Sequence, residues 1–283
     1  MAVVNTNALR NFFILVSILI CVLAQCCFSQ SLRYTVSMPY IGLAAYSQKQ
    51  NDVFSFTNNQ AALAQQKNTA AGIYGERRFL LADNSSYALA AAFPTSLGNF
   101  GVKVNHAGFT NFNENAVGLA YARNLGKKLD IGIQFNYYGY RIPSYGNASS
   151  VNIELGAIVH LSEKINAGIH VYNPVGGKLG KSSDERLASV YKFGLGYDAS
   201  ENFFVSVETI KEENKPLNVT GGVQYQFEKQ FFVRAGFVSE TGSGFGGIGV
   251  SWKNIRLDIS GNYHPQLGFS PGLSLIANFK GKK

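Results

Sequence analysis

From about residue 69 to its end, the chain alternates residue by residue between apolar and other side chains. Ile131, Ile133, Phe135 and Tyr137 are interleaved with Gly132, Gln134, Asn136 and Tyr138. Val151, Ile153, Leu155, Ala157, Val159 and Leu161 are interleaved in the same way with Asn152, Glu154, Gly156, Ile158 and His160. Successive side chains of an extended strand point to opposite faces, so the pattern gives each face of a sheet its own character. Fourteen segments carry it, at 69–77, 86–94, 99–107, 114–122, 129–139, 151–161, 165–173, 188–197, 203–210, 217–226, 231–238, 245–252, 255–263 and 271–279. Their number is even, and most are about nine to eleven residues long, the length with which a tilted strand crosses the hydrocarbon of an outer membrane.

The connections carry a second signal. After even-numbered segments they are tight: Thr95–Gly98, Arg123–Lys128, Ser162–Lys164, Asp198–Asn202, Phe227–Gln230 and Lys253–Asn254. After odd-numbered ones they run longer, notably Tyr140–Ser150 and Pro174–Leu187. Short turns at one end and long loops at the other are how bacterial transmembrane barrels are built. A β-sandwich, a lipocalin-like barrel or a propeller also alternates, but in water each needs a charged outer face. Here only 15% of the 283 residues are charged, against about 25% in a typical soluble domain. The expected fold is all-β: an antiparallel transmembrane β-barrel of about fourteen strands, residues 69–283, preceded by a short N-terminal plug segment, residues 31–68. A soluble secreted β-protein is the remaining architectural alternative.

Residues 1–30 have the layout of a cleaved secretory signal: one charge at Arg10, a mostly apolar run from Phe12 to Ala24, and small residues at Cys27 and Ser29. That run is too short for a bilayer-spanning helix, which needs about 20 residues. Leu23, Ala24, Gln25 and Cys26 offer a weaker lipoprotein reading, with Gln25 where a small residue is expected. All three cysteines, Cys21, Cys26 and Cys27, lie in this stretch, so no disulfide or thiolate chemistry is expected in the exported chain. Export and barrel together point to a Gram-negative outer membrane, with its lipids and lipopolysaccharide as surroundings.

Residues 31–68 do not alternate. Asn58 or Asn59 can cap a short helix through Gln60–Gln65, its side-chain oxygen accepting from a first-turn amide. Gly42, Leu43, Ala44, Ala45 and Tyr46 are similar to a Gly-rich segment ending in Ala-aromatic. Asn59, Gln60, Ala61, Ala62, Leu63 and Ala64 are similar to an Asn-Pro-Ala-x-Leu-Ala motif, with Ala44 in place of a glycine and Gln60 in place of the proline. On these segments and on the overall layout, the chain resembles the FadL family of outer-membrane channels and the related PorV and PorQ barrels of type IX secretion. The resemblance implies that Gly42, Tyr46, Asn59, Ala61 and Leu63 belong to a plug. It also implies a passive channel for hydrophobic or amphipathic small molecules, or else a barrel without transport that handles secreted proteins.

The face opposite the apolar one mixes glycines such as Gly132, Gly156, Gly168, Gly194 and Gly196 with Lys103, Gln134, Glu154, His160, His170, Lys192, Glu208, Arg234, Arg256 and Asp258. These ten are the expected lumen-lining residues. Their mixed signs suggest a mutually neutralising network or a constriction felt by small polar solutes. His106 and His264 complete the histidines, and no ligand spacing supports a metal; no cofactor is expected. Gly242, Gly244 and Gly247 satisfy G-x-G-x-x-G, but in a turn that enters a strand, with no helix to receive phosphate. The net charge of +8 is scattered over turns without a basic aromatic stripe, so anionic lipid headgroups are a better partner than nucleic acid. Nothing indicates an enzyme.

Overall fold

The computed structural model describes residues 39–109, 112–142, 146–176, 187–213, 215–228 and 230–279. The expected signal segment and residues 31–38 lie outside them. The wall consists of fourteen strands. They are β1 (Thr69–Arg77), β2 (Ser85–Thr95), β3 (Gly98–Phe109), β4 (Phe112–Leu125), β5 (Leu129–Ile142), β6 (Gly146–His160) and β7 (Ile165–Tyr172), followed by β8 (Val190–Asp198), β9 (Phe203–Glu212), β10 (Asn218–Phe227), β11 (Phe231–Val238), β12 (Ser243–Trp252), β13 (Ile255–His264) and β14 (Gly268–Phe279). Each pairs antiparallel with its neighbours in sequence, and β1 pairs with β14 from Thr69↔Phe279 to Glu76↔Gly272, so the sheet closes into a barrel. Closure leaves no unpaired strand edge, the condition for a sheet to sit in lipid.

The alternation places residues inside or outside the ring. β8 reads buried–exposed without interruption. Outward-facing Leu119 is 60% exposed and Val151 67%, while inward-facing Gln134 is 0% and Arg234 1% exposed. A water-soluble barrel has the opposite arrangement. Outward aromatic side chains gather at both ends. Phe93, Phe100, Tyr197, Phe227, Phe231 and Trp252 stand near the short turns, and Tyr87, Tyr137, Tyr191, Phe237, Tyr263 and Phe269 near the opposite rim. Two such belts mark the two membrane–water interfaces. At the short-turn belt the Phe100 and Tyr121 rings meet at a tilt with centroids 5.2 Å apart, Tyr225 meets Phe227 edge-on at 4.6 Å, and Lys253 lies over the Trp252 ring at 5.0 Å. No described helix is long and apolar enough to cross a membrane.

One expectation about the connections is corrected. Tyr140–Ser150 is not a loop: β5 continues to Ile142 and β6 begins at Gly146, with fourteen paired rungs that include Tyr140↔Ala148 and Ile142↔Gly146. Tyr138 and Tyr140 pack near Leu187 and Ala148, and this small apolar cluster carries the hairpin beyond the membrane-length core of the strands. The longest connection joins β7 to β8 across residues 173–189. Between β1 and β2, Phe79 and Leu80 both hold positive φ, 55° and 60°, a left-handed conformation that is costly for bulky side chains.

Candidate functional site: the barrel interior

The N-terminal segment holds four short helical turns, the last of them the expected helix at Gln60–Gln65. These are α1 (Pro39–Gly42), a 3-10 turn at Leu43–Tyr46, α2 (Ser55–Asn58) and a 3-10 helix at Gln60–Gln65. Asn59 caps the last of them, accepting from the Ala61 amide at 3.0 Å. None is long enough to be stable alone, and their stability comes from enclosure by the strands. Gly42, Tyr46, Asn59, Ala61 and Leu63 are all buried inside the ring.

The interior has two halves. Tyr40, Ile41, Val53, Phe54, Phe56 and Leu63 pack against a wall of small side chains, Ala70, Ala88, Ala90, Ala92, Ala120 and Ala122, on β1, β2 and β4. Mostly from β5 to β13, joined by Lys103 of β3, polar and charged groups of the wall meet the segment at three stations. Buried polar groups are costly unless their hydrogen bonds are made, and residues of both wall and segment make most of them at each station, with Gln60 Oε1 and Gln134 Oε1 left over at the first.

At the first station, Glu154 Oε1 accepts from Lys103 Nζ (3.0 Å), Gln134 Nε2 (3.0 Å) and Asn136 Nδ2 (2.9 Å). Its Oε2 accepts from Gln60 Nε2 at 2.6 Å and meets His170 Nε2 at 2.9 Å. Asn59 Nδ2 donates to the Ile169 carbonyl at 3.0 Å, and the Gln60–Ala61 backbone lies on Gly132 so closely that a Cβ there would come 2.6 Å from the Ala61 nitrogen. Gln60, the residue that departs from the Asn-Pro-Ala pattern, therefore supplies the segment's hydrogen bond to Glu154.

At the second, Glu208 accepts from Tyr46 Oη at 2.6 Å and from Asn58 Nδ2 at 3.0 Å, with Lys192 Nζ 3.5 Å away and itself bonded to Asn58 Oδ1. Burial, reinforced by the Glu208 carboxylate, pushes the Tyr46 phenol well above its ordinary value, so it remains a neutral donor. The ring fits only because Gly168 and Gly194 face it, and Gly196 faces its backbone; a Cβ at any of the three would collide with Tyr46.

At the third, Asp52 Oδ2 accepts from two guanidinium groups, Arg234 Nη2 at 3.1 Å and Arg256 Nη2 at 3.0 Å, while Oδ1 accepts from the Phe54 amide at 3.0 Å. Arg256 is also clasped by Asp258, with Nη2 2.7 Å and Nε 2.9 Å from Oδ2. Arg234 Nη1 donates to the Tyr40 carbonyl at 3.2 Å, and its Nε to Gln224.

Toward the short-turn rim, Ser47 Oγ donates to Asp198 at 2.5 Å, Gln65 to Asp130 at 3.3 Å, and Asn99 to the Leu63 carbonyl at 2.7 Å. His160 is bonded between Asp130 (2.8 Å) and Asn166 (2.7 Å). All ten expected lumen residues thus turn to the inside. Lys103, Gln134, Glu154 and His170 form one cluster, Lys192 and Glu208 a second, Arg234, Arg256 and Asp258 a third, and His160 stands apart near the rim. His106 faces outward on β3 against Asn115, and His264 accepts from loop amides. No described group of His, Cys, Asp and Glu is placed to hold a metal.

Sequence reasoning missed Asp52, although it is the single acidic residue between positions 31 and 68. It also missed Asn166 and Asp198, which lie on the inward parity of β7 and β8. On the loop-bearing side of the segment a cavity of about 220 Å³ remains, walled by Pro39, Leu43, Ile210 and Val238 and bordered by Glu208 and Glu240.

No protein-family profile matches the chain, and no curated protein matches it in sequence. Solved structures do match in fold. The CymD monoaromatic hydrocarbon channel is 13% identical, with 85% of this chain covering 97% of that one at a TM-score of 0.62. The P. putida toluene transporter TodX is 10% identical, with coverage of 86% and 98% and a TM-score of 0.63. A Pseudomonas aeruginosa FadL homologue is 10% identical, with the same coverage and a TM-score of 0.60. The fourteen-stranded closed barrel and the helical segment ahead of its first strand give this chain the fold of the FadL and TodX outer-membrane barrels.

Proposed function

We propose that the protein is a passive outer-membrane channel for small hydrophobic or amphipathic molecules, with residues 39–65 acting as its plug. The observation that carries this reading is the segment's placement: it fills the ring of strands, makes no backbone–backbone hydrogen bond to them among the described residues, and leaves a cavity of mixed apolar and polar lining beside it. An apolar pocket with a few convergent polar groups is the usual form of a small-molecule site. The likeness in fold to proteins described as hydrocarbon channels and a toluene transporter supports the same reading.

The test is flux of toluene into proteoliposomes. The protein should raise it at least severalfold over empty vesicles. With the native cysteines absent, a Ser47→Cys/Asp198→Cys pair should lower that flux when oxidised and restore it on reduction, because it ties the segment to β8. Vesicles no more permeable with the protein than without it would rule the reading out.

A second reading is a barrel without transport that assists type IX secretion, as the PorV and PorQ resemblance implies. It is favoured by the density of buried pairs at the three stations, which suits a permanently closed lumen. Deleting the protein would then lower the surface yield of secreted cargo and leave hydrocarbon uptake unchanged.

A further inference from the structure

The geometry points to Arg234 and Arg256 as a binding site for a small organic carboxylate, occupied in this closed state by the chain's own Asp52. Two guanidinium groups from different strands, β11 and β13, converge on a single carboxylate oxygen at 3.1 and 3.0 Å. Charge-assisted bonds of this kind are among the strongest with which a protein holds a carboxylate. Each arginine is fixed by wall residues that do not depend on Asp52. Asp258 holds Arg256 from its own strand, helped by Ser274 at 3.1 Å, and the Arg256 guanidinium lies 5.0 Å from the Phe232 ring centroid. Gln224 of β10 holds Arg234.

The residue that completes the site, by contrast, belongs to the segment and not to the wall. Asp52 lies between the 3-10 turn at Leu43–Tyr46 and α2. Within the station, two arginines face two aspartates. If Asp52 withdraws, one buried positive charge is left over, and a buried charge without a partner demands an anion. The small cavity limits what that anion can be. It abuts α1, whose Tyr40 carbonyl accepts from Arg234, so a shift of α1 would join the cavity of about 220 Å³ to the fork. That space suits a single-ring or short-chain carboxylate.

The inference rests on the channel reading only for the route by which a ligand arrives. Its test is benzoate binding, by calorimetry, to the full-length detergent-solubilised protein and to Asp52→Asn, which keeps the side-chain shape and removes the internal competitor. Benzoate should bind the variant at least tenfold more tightly than the unaltered protein. Benzyl alcohol should bind both equally weakly, and Arg234→Gln in the variant should abolish the gain. Equal benzoate affinities, a matching gain for the alcohol, or indifference to Arg234→Gln would each overturn the proposal.

If Asp52→Asn does not fold, a nitroxide at Lys49→Cys in the otherwise unaltered segment decides instead. Benzoate should mobilise it and benzyl alcohol should not, and an unchanged spectrum in both overturns the site. Toluene flux is read separately. Flux without benzoate binding removes the site and leaves the channel, while benzoate binding without flux does the reverse.

Discussion

Tyr46 shows how one side chain depends on the absence of others. Its ring stands where β7 and β8 present Gly168 and Gly194, and its hydroxyl reaches Glu208 at 2.6 Å. Gly194→Val should expel the ring and cost about 1–3 kcal/mol, the usual range for overpacking. Urea unfolding from lipid vesicles measures it. The same substitution made with Tyr46→Ala should cost less than the sum of the two, because the residues are in contact. Glu154 is more exacting, since five side chains donate to or meet it. Glu154→Gln should destabilise by about 3–5 kcal/mol by leaving Lys103 without its buried counter-charge, read as a lower urea midpoint. That Glu154 faces inward was legible from strand parity. That it meets Gln60 was not, because nothing local in the sequence sets which rung of the wall a non-periodic segment will touch.

Among the elements, the strands were the readable part and the N-terminal segment the obscure one, for one physical reason. A strand half in lipid and half in a polar lumen must alternate at every residue, and the fourteen expected segments lie on the fourteen strands with small shifts at their ends. The largest shift, at β5 and β6, arose where the alternation runs past the lipid-crossing length into a projecting hairpin and the tyrosines and serines there resemble loop residues. The segment at 39–65 follows no period, because outside the exposed Gln48 and Lys49 it is enclosed against alanines on one flank and against charges on the other. Only the Asn59 cap at Gln60–Gln65 announced itself. Deleting residues 39–65 should leave a barrel that still migrates differently on gels before and after heating, while its single-channel conductance rises well above that of the intact protein. The β1–β2 loop offers a milder test. Leu80→Gly places at φ 60° the one residue that tolerates it, and should stabilise by about 1 kcal/mol.

For the whole molecule, the decisive property is which solvent meets which surface. Leu119, in the middle of β4, is outward and 60% exposed. Leu119→Arg should cost about 2–4 kcal/mol in a bilayer, as expected for a cation on the lipid face of a barrel near the midplane. A barrel with this outer face needs amphiphile for solubility: the exported chain should aggregate in plain buffer and disperse when detergent is supplied. The seam between β1 and β14 adds a restriction on how such a molecule is made. The segment that ends up enclosed precedes every strand in the chain, whereas Phe279, which meets Thr69 across the seam, belongs to the fourteenth strand. A ring that zipped shut early would lock its own interior piece out, with no way back except over a rim. The order of events is therefore testable: if the piece is seated before the seam closes, substitutions at the glycines that receive it, such as Gly194, should lower the yield of closed barrels.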